Sequence, residues 1–238
     1  MSNLPFFFIE TTDSDSIQLD ESNSKHIVQV LRMTEGEMIN LTDGKGNLIT
    51  STIKKADKKK CIVSITGKEK IPSAERKISI CISLLKNSNR FEWFLEKATE
   101  IGISEIVPLL CKRTEKQNFR MDRMQQILIS ALIQSRQCWL PILHEPVKFN
   151  SFLDGAEGVN AYQQKFIAHC IPEEKRNLSD LLNSNLASQI ILIGPEGDFT
   201  PDEIEKARQH HFIPVALGET RLRAESAGIV AAALMKLG

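Results

Sequence analysis

Two loops carry most of the side chains that could do chemistry. In IILIGPEGDFTPDEIEKA, Ile190 to Ala207, an apolar run breaks into Gly194-Pro195-Glu196-Gly197, and a helix start follows at once. Glycines in a tight strand-to-helix connection let backbone N–H and C=O groups approach a ligand and read its edges. The same four letters also read as a plain turn. The second loop, LGETRLRAES, opens with Leu217-Gly218 and brings Leu222, Arg223 and Glu225 to the start of the last helix. A guanidinium there can stabilise developing negative charge. A carboxylate there can accept a proton, or only anchor the helix N-terminus. His169 ends the strand FIAHC and points to the same crevice, as packing or as a ligand contact.

Other chemistries lack their residues. No Gly-Lys-Ser/Thr follows the glycines, so nothing grips a β/γ-phosphate and Mg²⁺. Gly44-Lys45-Gly46 lacks the third glycine of a dinucleotide fingerprint and sits inside a hairpin. G-x-S-x-G is absent, which removes that class of serine hydrolase. The five cysteines are scattered without a C-x-x-C, so no disulfide framework or zinc site is expected, and the compartment reads as a reducing cytoplasm. No metal is expected.

Loops placed in this way need strands that end together. From Lys77 onward strand-like and helix-like segments alternate: KISICISLL, SNRFEWFLEKATEIG, SEIVPLLC, MDRMQQILISALIQSRQ, KFIAHC, QIILIG, FIPVALG and ESAGIVAAALMKL. That alternation predicts a mostly parallel α/β sheet. The first of these helices puts Phe91, Phe94, Leu95, Ala98 and Ile101 on one face, and Gly102 is placed to stop it. Thr200-Pro201-Asp202-Glu203 spells a capping box with proline in the first turn. Ligands in such sheets bind beyond the carboxyl ends of the strands, so the two glycine loops should share one pocket. Residues 1–72 read differently, as a small, mostly β domain with a hairpin about Asp43-Gly44, a strand KCIVSITGK and one helical piece bearing Ile27, Val30 and Leu31 on a face. Residues 73–238 form the second domain.

The composition is that of an ordinary globular protein, and formal net charge is zero. An anionic partner must therefore be held by local patches. Arg32, Arg90 and Arg113 could form a phosphate-contacting surface. The run Lys54, Lys55, Lys58, Lys59, Lys60 reads first as a solvated strand edge that discourages aggregation. The N-terminus lacks a basic region before its short apolar run, so no secretory signal is expected, and no apolar stretch is long enough to span a bilayer.

NRFEWFLEKATEIGISEIVPLLCKRTE, LIQSRQCWLPILHEP, ILIGPEGDFTPDEI and LGETRLRAESAGIVAAAL, in that order, resemble the RsmE-type 16S ribosomal RNA uridine-N3 methyltransferases of the SPOUT superfamily. SKHIVQVLRMTEGEMINLTDGKG resembles that family's small PUA-like β-barrel domain. The resemblance implies a C-terminal trefoil knot, S-adenosylmethionine as cofactor, a homodimer, and 16S rRNA of the small subunit as substrate. It implies cofactor contacts from Gly194, Pro195, Glu196, Gly197, Leu217, Gly218, Leu222 and Arg223, with Arg223 as the catalytic cation. By position His169 joins the cofactor contacts and Glu225 the catalytic candidates, and by charge Arg32, Arg90 and Arg113 are the RNA candidates. The chain departs from the family at Asp198, where a second glycine is usual, and at Thr220, where an arginine is common. The rivals are a SPOUT enzyme acting on tRNA and a non-catalytic RNA-binding protein on the same fold.

Overall fold

The computed structural model describes residues 4–11, 14–115, 118–155 and 159–238. The chain divides into two compact units, one of Met1–Ser73 with Leu132–Leu140 and the other of Ala74–Ala131 with Pro141–Gly238.

The first unit is built on a five-stranded sheet. Its strands are β1 (Phe6–Phe8), β2 (Ser16–Gln18), β3 (Met38–Thr42), β4 (Asn47–Lys55) and β5 (Ile62–Lys70), in the order β1-β3-β4-β5-β2. The β3–β4 hairpin closes where Asp43 Oδ1 accepts from the Lys45 and Asn47 N–H groups, the local bonding that makes Asp a turn residue. Phe7, Leu19, Ile27, Ile39, Leu41, Ile49, Ile53 and Val63 fill its core.

Two features of this unit differ from the sequence reading. Helix α1 (Glu21–Lys25) runs into a π-helical turn, His26–Val30, closed by the Leu31 N–H donating to the His26 carbonyl. The wider turn rotates the side chains that follow it. Ile27 stays buried, but Val30 and Leu31 face solvent at 66% and 40% exposure instead of sharing its face. The unit also takes Leu132–Leu140 from much later in the chain. Trp139 Nε1 donates to the Ile71 and Pro72 carbonyls, Leu140 N–H to Gly44, and Gly46 N–H to Cys138. A linear domain boundary could not show that return.

The second unit is an eight-stranded parallel sheet: β6 (Lys77–Ser83), β7 (Glu105–Leu110), β8 (Ile142–Leu143), β9 (Val147–Lys148), β10 (Gln164–Ala168), β11 (Arg176–Asn177), β12 (Ser188–Ile193) and β13 (Ile213–Ala216). The order is β11-β13-β10-β12-β6-β7-β8, with β9 also pairing β7. Its helices are α2 (Ser88–Ile101), α3 (Met121–Ser135, whose last turn joins the first unit), α4 (Phe149–Asp154), α5 (Pro201–Gln209) and α6 (Ala224–Leu237). The central strands β6, β7 and β12 are largely apolar and buried, as the middle of a sheet covered on both faces requires. In α2, Phe91, Phe94, Leu95 and Ala98 are buried and Gly102 ends the helix at φ 82°. The capping box of α5 is complete in both directions between Thr200 and Glu203.

This strand order positions the site. β10 lies between β13 and β12, so the loops after the three strands emerge side by side at the carboxyl edge. No described helix is long and apolar enough to cross a membrane.

Candidate functional site

A cavity of about 590 Å³ opens where those three loops meet. Its floor is the strand ends Ala168, Ile193, Val215 and Ala216, and its walls are residues 169–170, 194–196, 198 and 217–224. Of the residues read from the sequence, His169, Gly194, Pro195, Glu196, Leu217, Gly218, Leu222 and Arg223 line it. Gly218 has φ 123°, a conformation that side chains rarely adopt, and a Cβ there would meet nothing within 4 Å. A Cβ on Gly194 would come within 3.1 Å of the Phe199 amide nitrogen, so a side chain there would press on the turn into α5.

Gly197 is not among the lining residues. Its carbonyl accepts from Arg113 Nη1 at 2.6 Å, and the same nitrogen reaches the Phe199 carbonyl at 3.4 Å. Arg113, read as an RNA contact, thus holds the loop from outside through its carbonyls. The neighbouring Glu196 carboxylate accepts from the Lys86 N–H at 3.1 Å, fastening the loop to the segment after β6. Asp198 completes the arrangement. It sits in the left-handed region at φ 63°, and its carboxylate accepts from its neighbour Phe199 N–H and from Cys170 N–H, each at 2.8 Å. One side chain therefore ties the loop after β12 to the loop after β10. The sequence signal was the departure itself, since Asp enters this region more readily than most residues.

His169 is part of the wall, with most of its side chain buried. Lys175 Nζ donates to its carbonyl at 2.7 Å, to the Ile171 carbonyl at 2.9 Å, and lies 3.3 Å from its Nδ1. Burial first, then the Lys175 ammonium, lower the imidazole pKa despite Glu173 and Asp198, so the ring is neutral near pH 7. Nε2 stands 3.2 Å from Glu173 Oε1 without forming a hydrogen bond.

Arg223 is the N-cap residue of α6, exposed at the cavity wall, and its guanidinium has no ion pair or hydrogen bond among the described residues. Arg221 lines the cavity too, a contact for which the sequence offered only its place in the loop. Glu225, two residues on, does not line it. Its side chain is buried, Oε1 lies 3.7 Å from Arg90 Nε on α2, and Oε2 has no hydrogen-bond partner. Arg90 is therefore shared with an internal carboxylate. Arg32 belongs to the first unit, with φ 55° and no ion pair among the described residues. Nor do the described residues gather three or more His, Cys, Asp or Glu side chains that could hold a metal ion.

A parallel sheet with a main-chain-lined cavity at its carboxyl edge defines an α/β ligand-binding domain. Residues 72–236 match the RNA methyltransferase domain family and residues 19–66 the RNA methyltransferase PUA domain. The chain belongs to the RNA methyltransferase family. It is similar to a structure described as a probable rRNA-methyltransferase from Porphyromonas gingivalis, at 36% identity and a TM-score of 0.88 over 96% of this chain and 95% of that one. A ribosomal RNA small subunit methyltransferase E from Neisseria gonorrhoeae bound to S-adenosyl methionine shares 26% identity, with a TM-score of 0.86 over 99% and 98% of the two chains. The ribosomal RNA small subunit methyltransferase E of Synechocystis is 29% identical over 92% of this chain and 72% of its own.

Proposed function

We propose that this chain is an S-adenosylmethionine-dependent methyltransferase that methylates N3 of a uridine in 16S rRNA of the small subunit, acting in the cytoplasm as a homodimer with a knotted C-terminal segment. The observation that carries the reading is an uncommitted guanidinium, Arg223, in the wall of a glycine-lined cavity in an RNA methyltransferase fold. The cavity fits the cofactor. Its volume suits a ligand of that size. Leu217 and Leu222 offer apolar cover for an adenine, and the backbone around Gly194 and Gly218 offers N–H and C=O groups to its edges and ribose. The bound cofactor supplies an activated methyl group, so the protein's task is orientation and electrostatics.

Uracil N3 carries a proton at neutral pH, and that proton must pass to solvent water before the ring nitrogen can attack. Arg223 stabilises the uracil anion by placing a fixed cation beside the carbonyl oxygens where charge develops. Glu225 lies behind Arg90 and outside the cavity wall, so it acts first on Arg90 and on the helix N-terminus. The Arg113, Glu196 and Asp198 bonds hold the loop in shape before any ligand arrives, which reduces the ordering cost of binding.

Mass spectrometry of nucleosides, after incubating the purified protein with S-adenosylmethionine and small subunits from a strain deleted for the gene, tests the reading. We expect one N3-methyluridine per 16S rRNA. Methyl transfer to tRNA alone, or cofactor binding without transfer to any RNA, overturns it.

A further inference from the structure

We infer that the tip of the β4–β5 hairpin is a phosphate-binding surface for RNA, a contact that extends the proposed function and rests on it. Lys54, Lys55, Lys58, Lys59 and Lys60 are all exposed there. The topology leaves this run little strand edge to protect. β4 and β5 are interior strands of the order β1-β3-β4-β5-β2, and the edges belong to β1 and β2. The pairing of β3 stops at Thr52, so what the tip leaves open is only the last stretch of β4 and not a whole edge strand.

The backbone displays these side chains outward. The β4–β5 register shifts between Ile53 and Lys55, and at that irregularity the inside-outside alternation of β4 stops. Ser51 and Ile53 are buried, but Lys54 and Lys55 are consecutive and both exposed. A bulge re-aims side chains in this way. The tip is also anchored. Asp57 Oδ1 accepts from the Lys59 and Lys60 N–H groups at 2.8 and 3.0 Å. Cys61 N–H donates to Ser24 Oγ at 2.9 Å, and the Cys61 carbonyl accepts from Leu19 N–H at 2.9 Å.

The charge is only partly offset: Asp57 is the one carboxylate in the run, and Lys55 and Lys60 act on it electrostatically. None of the five ammonium groups forms an ion pair among the described residues. Asp57, Glu37 and Asp20 accept hydrogen bonds in local turns, which fixes their positions, and none of them forms an ion pair with the five lysines among the described residues. In a chain of zero net charge, five lysines against one aspartate within seven residues concentrate cation at one rigid point. Such a point suits a polyanion contacted through its backbone, with no base-reading group required.

The test compares the parent, a variant with all five lysines changed to glutamine, and one with all five changed to arginine. Each is titrated with an in vitro transcript of the small-subunit rRNA across a salt series. Each phosphate contact contributes about 0.7–0.9 to the slope of log K against log salt. The glutamine variant should bind at least about tenfold more weakly near 0.1 M salt, with a slope smaller by about 2 to 4. The arginine variant should retain the parental slope, and cofactor affinity should be the same in all three. A parental slope in the glutamine variant overturns the inference and leaves the tip as a solubilising feature. Lost binding to whole subunits with unchanged binding to the free transcript also overturns it, and assigns the tip to a protein partner. If the parent transfers no methyl group, the proposed function falls, while the salt slopes still judge the hairpin.

Discussion

Arg223 and Asp198 are both polar residues of the cavity wall, but they do opposite jobs. Arg223 has no partner among the described residues, so its charge is available to a ligand. Arg223→Lys keeps the charge and loses the planar fork that reaches two acceptors. Turnover should fall on the order of a hundredfold, the scale of one transition-state donor, with RNA affinity little changed. Raising the pH should partly rescue it, because more uracil is then already deprotonated. Single-turnover methylation across a pH series checks this, and a loss confined to cofactor affinity would make Arg223 an anchor instead. Asp198, by contrast, is tied to two N–H groups of the protein. Asp198→Gly loses its two hydrogen bonds but fits φ 63°, whereas Asp198→Ala loses them and keeps the strain. Alanine should therefore be the worse by about 1 kcal/mol in thermal or urea unfolding, and both should weaken cofactor binding as the loops after β10 and β12 separate. Equal stability of the two variants would show that the backbone conformation carries no strain.

At the scale of elements, α6 packs on α2 through Gly228. A Cβ there would lie 2.7 Å from Phe94 Cε2, and Phe94 is fully buried, so the ring has little room to give. Two effects of Gly228→Ala compete. Helix propensity favours alanine by about 1 kcal/mol, while overpacking costs about 1–3 kcal/mol. The clash should win, lowering the urea midpoint at unchanged m-value; a raised midpoint would mean that the helices slide apart freely. Elements of this kind were legible where one local rule governs them. The hairpin at Asp43, the capping box of α5 and the apolar face of α2 each follow from residues a few positions apart. What local pattern could not show was non-local. The place of β10 between β12 and β13, which brings His169 to the cavity, is a property of strand order. The return of Leu132–Leu140 depends on partners at Gly44, Gly46 and Ile71. The π-helical turn that exposes Val30 and Leu31 hides in a segment with ordinary helical spacing. Arg113 and Glu196 were visible as residues, but only the fold shows that they hold the loop.

For the whole molecule, equal numbers of acidic and basic residues say little about how stability depends on pH, because the buried groups decide it. Glu105, at the start of β7, joins β6, β7 and the segment entering β10. Its Oε2 accepts from Ser79 Oγ at 2.5 Å, Lys77 Nζ at 2.9 Å and the Tyr162 hydroxyl, and Oε1 lies 2.6 Å from His144 Nε2. Burial pushes the carboxyl pKa up, but these bonds outweigh burial and bring it down from 4.5 to about 2. The same site raises Tyr162 to about 12, through burial and then the Glu105 carboxylate. A carboxyl depressed on folding stabilises the protein above its unfolded pKa and loses that contribution as pH falls through the folded value. Near neutral pH the linkage is worth on the order of 3 kcal/mol. More than half of it should be gone by about pH 3. Glu105→Gln removes the titration and leaves Lys77 without its partner, so the variant should be less stable at pH 7. The gap between parent and variant should then narrow steadily below about pH 4.5. Urea unfolding of both proteins at pH 7, 5, 4 and 3 measures this, and a gap that stays constant across the series would mean that Glu105 is not the group whose protonation loosens the sheet.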